Sequence, residues 1–329
     1  MNKAAEPAFR ARVDLVRVWW VGHICGPQCA GLAFLPLFAI TVATMTTEKS
    51  QALLTWPDLL GRPRPAPDAT IAYGGDASQN VDVWLPSGDG PFPIVLMVHG
   101  GCWTTSIADR NLMNWIADDL RGEGVAVWNI DYRGVDRPGG GYPGTFADAA
   151  MASDALAANA GRFDLDTGHV VAVGHSAGGH LALWLAARPK LPANSSLHSA
   201  DPLPIAHVVS LGGLPDLEAV AASPDNGCGT DVITQLVGAP SIGRPDIYAD
   251  TSVPRLLPIG VPQDLVNGHE DIIVPMRFAT SYLAQAEKTG DTAMLHIVPA
   301  TGHVELVAPE TAAWAEAKRL IHAALKVRQ

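Results

Sequence analysis

A glycine-flanked serine lies between two segments of different character. Residues 170–173 form a short β-branched apolar run, which is typical of a buried strand, and residues 177–185 continue with good helix formers. Residues 174–178 between them read Gly-His-Ser-Ala-Gly. Glycines two residues on either side of Ser176 permit a turn too tight for side chains, which exposes the hydroxyl at the end of the strand. The pattern predicts that Ser176 is a nucleophile, the alternative being a serine that only caps the helix.

Two later loops carry the residues that a serine nucleophile requires. A hydroxyl is a weak nucleophile at neutral pH and needs a histidine base oriented by a carboxylate. Glu270 and Asp271 follow one apolar run, and His303 follows the last one. The order serine, acid, histidine, each after a predicted strand, favours Asp271 as the orienting acid and His303 as the base. Glu270 and Asp264 are the rival acids. Taken alone, Asp271 would be interpreted as a helix-capping residue and His303 as a loop histidine.

Backbone amides are needed for the negative charge that develops on a substrate oxygen during acyl transfer. Residues 99–103 read His-Gly-Gly-Cys-Trp and follow the apolar run 93–98. Consecutive glycines let the backbone turn its amides inward. We therefore expect an oxyanion hole from the amide of Ala177 and that of Gly101 or Cys102, with Cys102 preferred. Cys102 as the nucleophile is the alternative, but no histidine–cysteine pairing in the sequence supports it.

Apolar runs alternate with helical patterns along the body of the chain. Two short runs separated by Gly-Gly-Asp predict an antiparallel opening pair, and the alternation that follows is typical of parallel strands joined by right-handed helical crossovers. The predicted class is α/β, with a mostly parallel sheet and helices on both faces. Strands are predicted at 71–73, 80–85, 93–98, 125–130, 170–173, 205–211, 264–266 and 293–298, and helices at 109–121, 145–160, after Ser176, at 276–288 and at 312–325.

One segment breaks this alternation. Residues 212–262 are rich in Gly, Pro and Asp with only short helical patches. We interpret them as a small insertion that covers the site. No internal repeat or linker divides residues 45–329, which predicts a single domain.

The first 44 residues differ in composition from the rest. Three arginines precede a mostly apolar run at residues 18–43. The segment is interpreted as a secretory signal peptide, as a membrane anchor interrupted by Gly and Pro, or as translated upstream sequence before a start at Met45.

Composition excludes several classes of function. A net charge of −11 argues against a nucleic-acid surface, and four cysteines, two of them at Cys25 and Cys29, are too few and too scattered for a disulfide framework. Eleven histidines without metal-ligand spacing predict no structural or catalytic metal site. The expected partner is a small molecule, with no nucleic acid and no stable membrane partner. Oligomeric state is left open, a homo-oligomer included.

Five segments carry a family resemblance. They are residues 99–103 (His-Gly-Gly-Cys-Trp), 131–133 (Asp-Tyr-Arg), 139–143 (Gly-Gly-Gly-Tyr-Pro), 174–181 (Gly-His-Ser-Ala-Gly-Gly-His-Leu) and 271–275 (Asp-Ile-Ile-Val-Pro). Together they resemble α/β-hydrolases of the kynurenine formamidase (arylformamidase) and feruloyl-esterase-like group, from about residue 45 to the end. The resemblance implies an α/β-hydrolase fold, an esterase or amidase without cofactor, and a triad on Ser176, Asp271 and His303. It also implies a cytoplasmic protein, the alternative being an exported one if residues 1–43 act as a signal peptide.

Two positions depart from that group. Formamidases usually carry an aromatic residue where Cys102 stands, which disfavours a formamide substrate, and the group commonly has His-Gly where Asn267-Gly268 stands. The leading hypothesis is a serine hydrolase of small carboxylic esters that works through an acyl-serine intermediate, with Trp103 and Tyr142 lining the substrate pocket. Arylformamide hydrolysis and a catalytically silent binding protein of the same fold are the alternatives.

Overall fold

A central β-sheet organises the part of the chain that the structure, a computed structural model, describes, residues 52–326. Within these residues the sheet has eight strands. In chain order the strands are β1 (Ala69–Ala72), β2 (Asn80–Trp84), β3 (Phe92–Val98), β4 (Ala126–Ile130), β5 (Leu165–His175), β6 (His207–Leu211), β7 (Gln263–Gly268) and β8 (Ala293–Val298). Across the sheet the order is β1-β2-β4-β3-β5-β6-β7-β8.

Strand directions match the prediction. β2 runs antiparallel to both β1 and β4, and the other neighbouring pairs are parallel. Every strand expected from the sequence is present, so the α/β class with a mostly parallel sheet is confirmed. The chain places β4 on one side of β3 and then β5 on the other. Loops leaving β3 and β5 therefore diverge at a switch point, where open α/β sheets form their clefts.

Helices cover both faces of the sheet. In chain order they are α1 (Trp56–Leu60), α2 (Asn114–Gly122), α3 (Gly144–Phe163), α4 (Ala177–Ala187), α5 (Leu217–Ala221), α6 (Asp231–Val237), α7 (Arg277–Thr289) and α8 (Ala312–Leu325). Apolar residues of α2 and α8 belong to one core cluster, and those of α3, α4 and α7 belong to another. The sheet thus separates two hydrophobic cores.

β3 shows why a continuous apolar run predicts a strand of this kind. Leu96 and Val98 point into the core of α3 and α4, whereas Val95 and Met97 point into the core of α2 and α8. All four side chains are fully buried. A strand covered on both faces has no solvent side, so its sequence loses the usual apolar–polar alternation.

Two boundaries differ from the sequence-based expectation. The helix predicted at 109–121 begins as a 3₁₀ turn, Arg110–Met113, and the α2 helix follows it; Asp109 caps this turn by accepting a hydrogen bond from the amide of Asn111 (2.9 Å). β5 begins five residues before the predicted strand. Its first residues are polar and partly exposed, yet they pair with the start of β3 across a register shift. Pairing with a distant strand, which sequence pattern does not report, extends β5.

The segment 212–262, predicted as an insertion, contains α5, α6 and a 3₁₀ turn at Val253–Leu256. It is attached to α4 by two side chains of that helix. The Trp184 indole donates to the carbonyl of Asp250 (2.8 Å), and His180 Nε2–H donates to the carbonyl of Thr251 (2.8 Å). Both side chains are fully buried.

No helix within residues 52–326 has the length and apolar character that crossing a bilayer requires. The predicted leader, residues 1–44, lies outside the described residues.

The turn after β5 predicts a contrast between two glycine substitutions. A Cβ on Gly174 would lie 2.0 Å from the carbonyl oxygen of Gly178, a backbone atom that cannot move without displacing α4. Gly174→Ala should therefore lose about 3 kcal/mol of unfolding free energy or more, and lower the melting temperature by roughly 5–10 °C. Gly161, exposed in α3, has no neighbour within 4 Å of such a Cβ. Gly161→Ala should gain about 0.5–1 kcal/mol of helix propensity.

Thermal unfolding followed by circular dichroism tests both substitutions side by side. A Gly174→Ala protein that melts at the wild-type temperature would show that the turn after β5 is not constrained as described.

Candidate active site

Ser176 lies between the end of β5 and the start of α4. Its backbone is left-handed, with φ 55° and ψ −121°, a conformation that a residue with a Cβ adopts rarely and at a cost of about 1–3 kcal/mol. The amide of Ser176 donates to the carbonyl of Leu211 at the end of β6 (2.8 Å). A Cβ on Gly178 would lie 2.1 Å from the carbonyl oxygen of Val98, so the first turn of α4 lies directly on the end of β3. These contacts hold the serine at the carboxyl edge of the sheet.

Asp271 and His303 come from the loops after β7 and β8. His303 Nδ1–H donates to Asp271 Oδ2 at 2.6 Å, and both residues are buried. Asp271 Oδ1 accepts from the amides of Ile273 (2.9 Å) and Val274 (2.8 Å). Because Nδ1 donates to the carboxylate, the Nε2 of His303 is left as the nitrogen that accepts a proton.

The two rival carboxylates lie elsewhere. Glu270 is exposed and pairs with Nδ1 of its neighbour His269 (2.9 Å). Asp264, within β7, accepts hydrogen bonds from Nε2 of His207 and of His296, both at 2.7 Å. Of the three acids considered from the sequence, the fold brings Asp271 to His303.

Ser176 and His303 line one cavity of about 610 Å³. Gly101 and Cys102 line the same cavity. Among the hydrogen bonds of the described residues, none joins the Ser176 hydroxyl to the His303 ring. Such contacts are commonly loose before substrate binds, so the shared cavity is the relevant geometric fact.

The loop after β3 passes next to the serine. A Cβ on Gly100 would lie 3.0 Å from the Ser176 Cβ. Gly101 and Cys102 both have positive φ values, 107° and 51°, which turn the backbone sharply. The amides of Gly101, Cys102 and Ala177 donate no hydrogen bond to another described residue. The three amides predicted from the sequence are therefore uncommitted beside Ser176.

His99 fixes the start of this loop. Its Nε2 hydrogen-bonds Asp131 Oδ1 (2.9 Å), and its ring stacks on Tyr132 with centroids 4.3 Å apart. The Tyr132 hydroxyl donates to the carbonyl of His99 (2.9 Å), and Arg110 Nη1 donates to the other oxygen of Asp131 (2.9 Å). A buried, fully partnered histidine of this kind supports the loop rather than the chemistry.

A disulfide joins Cys102 to Cys228, which lie 126 positions apart in the chain and have Cα atoms 5.4 Å apart. Sequence reasoning did not find this pairing, since connectivity cannot be deduced from cysteine positions alone. The sulfur of Cys102 is bonded in this structure, so it offers no thiol for the alternative role of nucleophile.

The prediction that Trp103 lines the substrate pocket is wrong. Its side chain is fully buried and does not reach the cavity of Ser176. With φ 51° at Trp103, the backbone turns the indole into the core, where its N–H donates to Nδ1 of His180 (3.3 Å). Burial lowers the pKa of His180 to about 4, although its bond to the Thr251 carbonyl opposes this, so the neutral ring accepts from Trp103 and donates to Thr251.

The same prediction for Tyr142 is also wrong. Tyr142 lines a second cavity, of about 420 Å³, bounded by residues 192–196 and 241–250. Its hydroxyl donates to Asp250 Oδ2 (2.8 Å), and the Arg244 guanidinium lies 3.5 Å from its ring centroid. These contacts with the insertion hold Tyr142 away from Ser176.

Part of the cavity wall comes from the amino-terminal side of the described chain. Trp56, Leu60 and Arg64 line the cavity, and the Trp56 ring lies edge-on to His303 with centroids 6.2 Å apart. The sequence predicted no part in the site for this segment. From the predicted insertion only Gly227 lines the cavity among described residues, so the covering role expected of residues 212–262 is carried largely by other segments.

Glu305 connects that amino-terminal segment to the loop of His303. Its buried carboxylate accepts hydrogen bonds from the amide of Leu54 and from that of Gly302 (3.0 Å). The sequence has no feature that would have predicted a contact between residues 251 positions apart.

His175 lies beside His303 but adds no charge there. Burial, together with the nearby His303, lowers the pKa of His175 well below its usual value, which keeps the ring neutral. Its Nε2–H donates to the carbonyl of His303 (3.2 Å), with ring centroids 4.4 Å apart. The Asp271 carboxylate is therefore the charged partner of the His303 ring.

Solved structures with low sequence identity share the fold. Esterase B from Lactobacillus rhamnosis superposes with a TM-score of 0.66 at 19% identity, over 80% of this chain and 88% of that one. A truncated carbohydrate esterase from gut microbiota gives 0.63 at 18% identity, over 79% and 98%. These likenesses concern the fold, and they confirm the predicted α/β-hydrolase fold.

Curated relatives match a shorter region. Versiconal hemiacetal acetate esterase from Dothistroma septosporum is 36% identical over 103 residues, 31% of this chain and 30% of that protein. The probable isoprenylcysteine alpha-carbonyl methylesterase from Arabidopsis thaliana is 29% identical over 114 residues, 34% of this chain and 26% of that protein. The chain thus spans less than a third of the length of each of these relatives.

A family model covers more than half of the chain. The BD-FAE model matches residues 81–285, from β2 into α7, a region that includes Ser176 and Asp271. On the strength of this match, the chain belongs to the BD-FAE family.

Proposed function

We propose that this protein is a serine hydrolase that cleaves small carboxylic esters through an acyl-serine intermediate. Ser176 is the nucleophile, His303 the general base and acid, and Asp271 the residue that orients His303. The observation that carries the proposal is the 2.6 Å hydrogen bond between His303 and buried Asp271 beside the cavity that also contains Ser176. Names of the matched relatives, both of which are esterases, support ester over other acyl substrates.

Proton transfer follows from the tautomer of His303. Its Nε2 takes the proton of the Ser176 hydroxyl as the oxygen attacks the ester carbonyl, and then gives that proton to the departing alcohol. A water molecule repeats the attack on the acyl-serine, with His303 again as base, which releases the acid and restores the serine.

Asp271 stabilises the imidazolium that forms in both steps. The carboxylate accepts three hydrogen bonds, one from His303 and two from the amides of Ile273 and Val274. Those donors fix the direction of the carboxylate. A charged, immobile acceptor keeps the proton of His303 on Nδ1 throughout the reaction.

The oxyanion is stabilised by uncommitted amides beside Ser176. The amide of Ala177 belongs to the first residue of α4, and that of Gly101 or Cys102 follows β3. The amino terminus of α4 adds the favourable field of its aligned peptide dipoles. Each such donor is worth about 10²–10³ in rate in acyl-transfer enzymes.

Formamide hydrolysis would use the same groups, and the choice between the substrates depends on contacts worth only a few kcal/mol. Comparison of rates on p-nitrophenyl acetate, methyl ferulate and N-formylkynurenine separates them. We expect kcat/KM on the better ester to exceed that on N-formylkynurenine by about 10-fold or more. The opposite order would assign the protein to arylformamide hydrolysis, and no turnover of any substrate would favour a silent binding protein.

Replacement of the nucleophile should abolish turnover. Ser176→Ala is expected to lose about 10⁶ in kcat, because the members of a triad act as a unit. A fluorophosphonate probe should label wild type at Ser176 and leave the variant unlabelled, as read by peptide mass spectrometry. Ser241→Ala, at an exposed serine of the second cavity, is the matched control with unchanged rate. Labelling of another residue, or a variant with a tenth of the activity, would refute the assignment.

The neighbouring acids Asp271 and Glu270 allow a paired test. Asp271→Asn should lower kcat by about 10⁴, since an amide no longer holds His303 in the reactive tautomer. Glu270→Gln removes the adjacent exposed carboxylate, which contacts His269 rather than His303, and should leave kcat near wild type. Steady-state rates on the preferred ester decide, and a larger loss in the glutamine variant would reverse the assignment of the acid.

A further inference from the structure

We propose that the Cys102–Cys228 disulfide is a positioning element for the reaction. It fixes the loop after β3 that carries Gly101 and Cys102, here called the oxyanion loop, relative to the loop that carries Asp271, and kcat depends on it. The inference rests on the proposed function and adds Cys228, a residue outside the triad and the oxyanion hole, to the residues that tune the rate.

Cys102, at one end of the disulfide, lies in the oxyanion loop. Cys102 lines the cavity that Ser176 also lines, and its amide donates no hydrogen bond to a described residue. Cys102 and Trp103 both have φ values of 51°. Consecutive left-handed residues with side chains persist only where their surroundings hold them, so this loop depends on external restraints.

Cys228, at the other end of the disulfide, lies in a turn at residues 226–229. Asn226 is buried, and its side-chain Oδ1 accepts from the amide of Cys228 (3.0 Å). The side-chain amide of Asn226 donates to the carbonyls of Val220 (3.2 Å) and Ser223 (2.6 Å) at the end of α5. Cys228 thus lies in a hydrogen-bonded turn that is connected to α5.

This turn contacts Ile273, in the loop that carries the acid of the triad. Gly227, next to Cys228, donates its amide hydrogen bond to the carbonyl of Ile273 (2.8 Å), and a Cβ on Gly227 would lie 2.7 Å from Cγ2 of Ile273. The amide of Ile273 in turn donates to Asp271 Oδ1 (2.9 Å). One disulfide and two hydrogen bonds therefore connect Cys102 to Asp271.

The position of the bond explains why its loss should act on rate. Hydrogen bonds also hold the oxyanion loop, through Trp103 and Thr105, to residues 134–136. Without the disulfide the loop keeps this anchorage but loses its connection to the side of the cavity formed by Gly227 and Ile273. A displacement of about 1 Å in a group that stabilises the transition state costs about 10² in rate.

Redox chemistry sets when the bond is present. The two thiols form the bond by transferring two electrons and two protons to a disulfide oxidant such as oxidised glutathione, which becomes two thiols. Dithiothreitol reduces the bond back to two thiols and itself becomes a cyclic disulfide. Structural disulfides persist in oxidising compartments. The inference therefore favours the exported alternative over a cytoplasmic protein.

The test compares Cys228→Ser with wild type, each oxidised and each treated with dithiothreitol. We expect Cys228→Ser to lower kcat by about 10–100-fold with KM changed less than about three-fold, because the loop stabilises the transition state more than the bound ester. Reduced wild type should show the same loss, and oxidised glutathione should restore it. Dithiothreitol should leave the rate of Cys228→Ser unchanged.

Three controls make the result specific. A Cys25→Ser, Cys29→Ser double variant should keep the response of wild type to dithiothreitol, which assigns the response to the Cys102–Cys228 pair. Thiol titration of denatured protein confirms each redox state. Circular dichroism at the assay temperature shows that reduced wild type is still folded when its rate is measured.

Outcomes against the inference are distinct from failure of the proposed function. Wild-type kcat in Cys228→Ser, a change confined to KM, or equal loss of rate by dithiothreitol in Cys228→Ser would each overturn the positioning role. Absence of ester turnover and of fluorophosphonate labelling in oxidised wild type would instead overturn the proposed function.

Discussion

The backbone strain at Ser176 is the constraint on which the rest of the site depends. A left-handed serine, with φ 55°, is stable only because the strands and helix around it leave no other path for the chain. The amide of Ser176 is bonded to the carbonyl of Leu211, and at Gly174 and Gly178 even a single added carbon would collide with backbone oxygen. Burial of apolar side chains on both faces of the sheet supplies the stability that offsets this strain.

The Asp271 carboxylate supplies the charge in contact with the His303 ring. His303 faces one carboxylate, that of Asp271, whose oxygens are both occupied by donors. His175 packs against the same ring, but burial and proximity to His303 lower its pKa well below the usual value, so it brings no competing positive charge. A buried histidine flanked by one anion and one neutral ring can take up a proton without repulsion, which is what a general base requires.

The cavity walls come from segments far apart in the chain. Trp56 and Arg64 precede β1, Cys102 follows β3, and Gly227 and Ile273 lie before and after β7. Two contacts tie these segments to the catalytic loops: Glu305 bonds the amide of Leu54, and the disulfide bonds Cys102 to Cys228. Residues that shape substrate binding are therefore held by long-range contacts, whereas the triad residues are held by the strands they follow.

Local pattern in the sequence determined the α/β class and all eight strands of the described part. It also determined which segments would carry Ser176, Asp271 and His303. Buried strands, tight glycine turns and helix starts depend on neighbouring residues, so the sequence alone reveals them. Tertiary structure decided the rest. Trp103 and Tyr142 looked like pocket residues, yet a left-handed backbone sends one into the core and the insertion draws the other to a second cavity. Three further features depend on contacts between distant segments: the partner of Cys102, the cavity wall at Trp56, and the choice of Asp271 over Glu270 as the acid. Such contacts cannot be inferred from local sequence, because neighbouring residues do not specify which distant residues will be in contact.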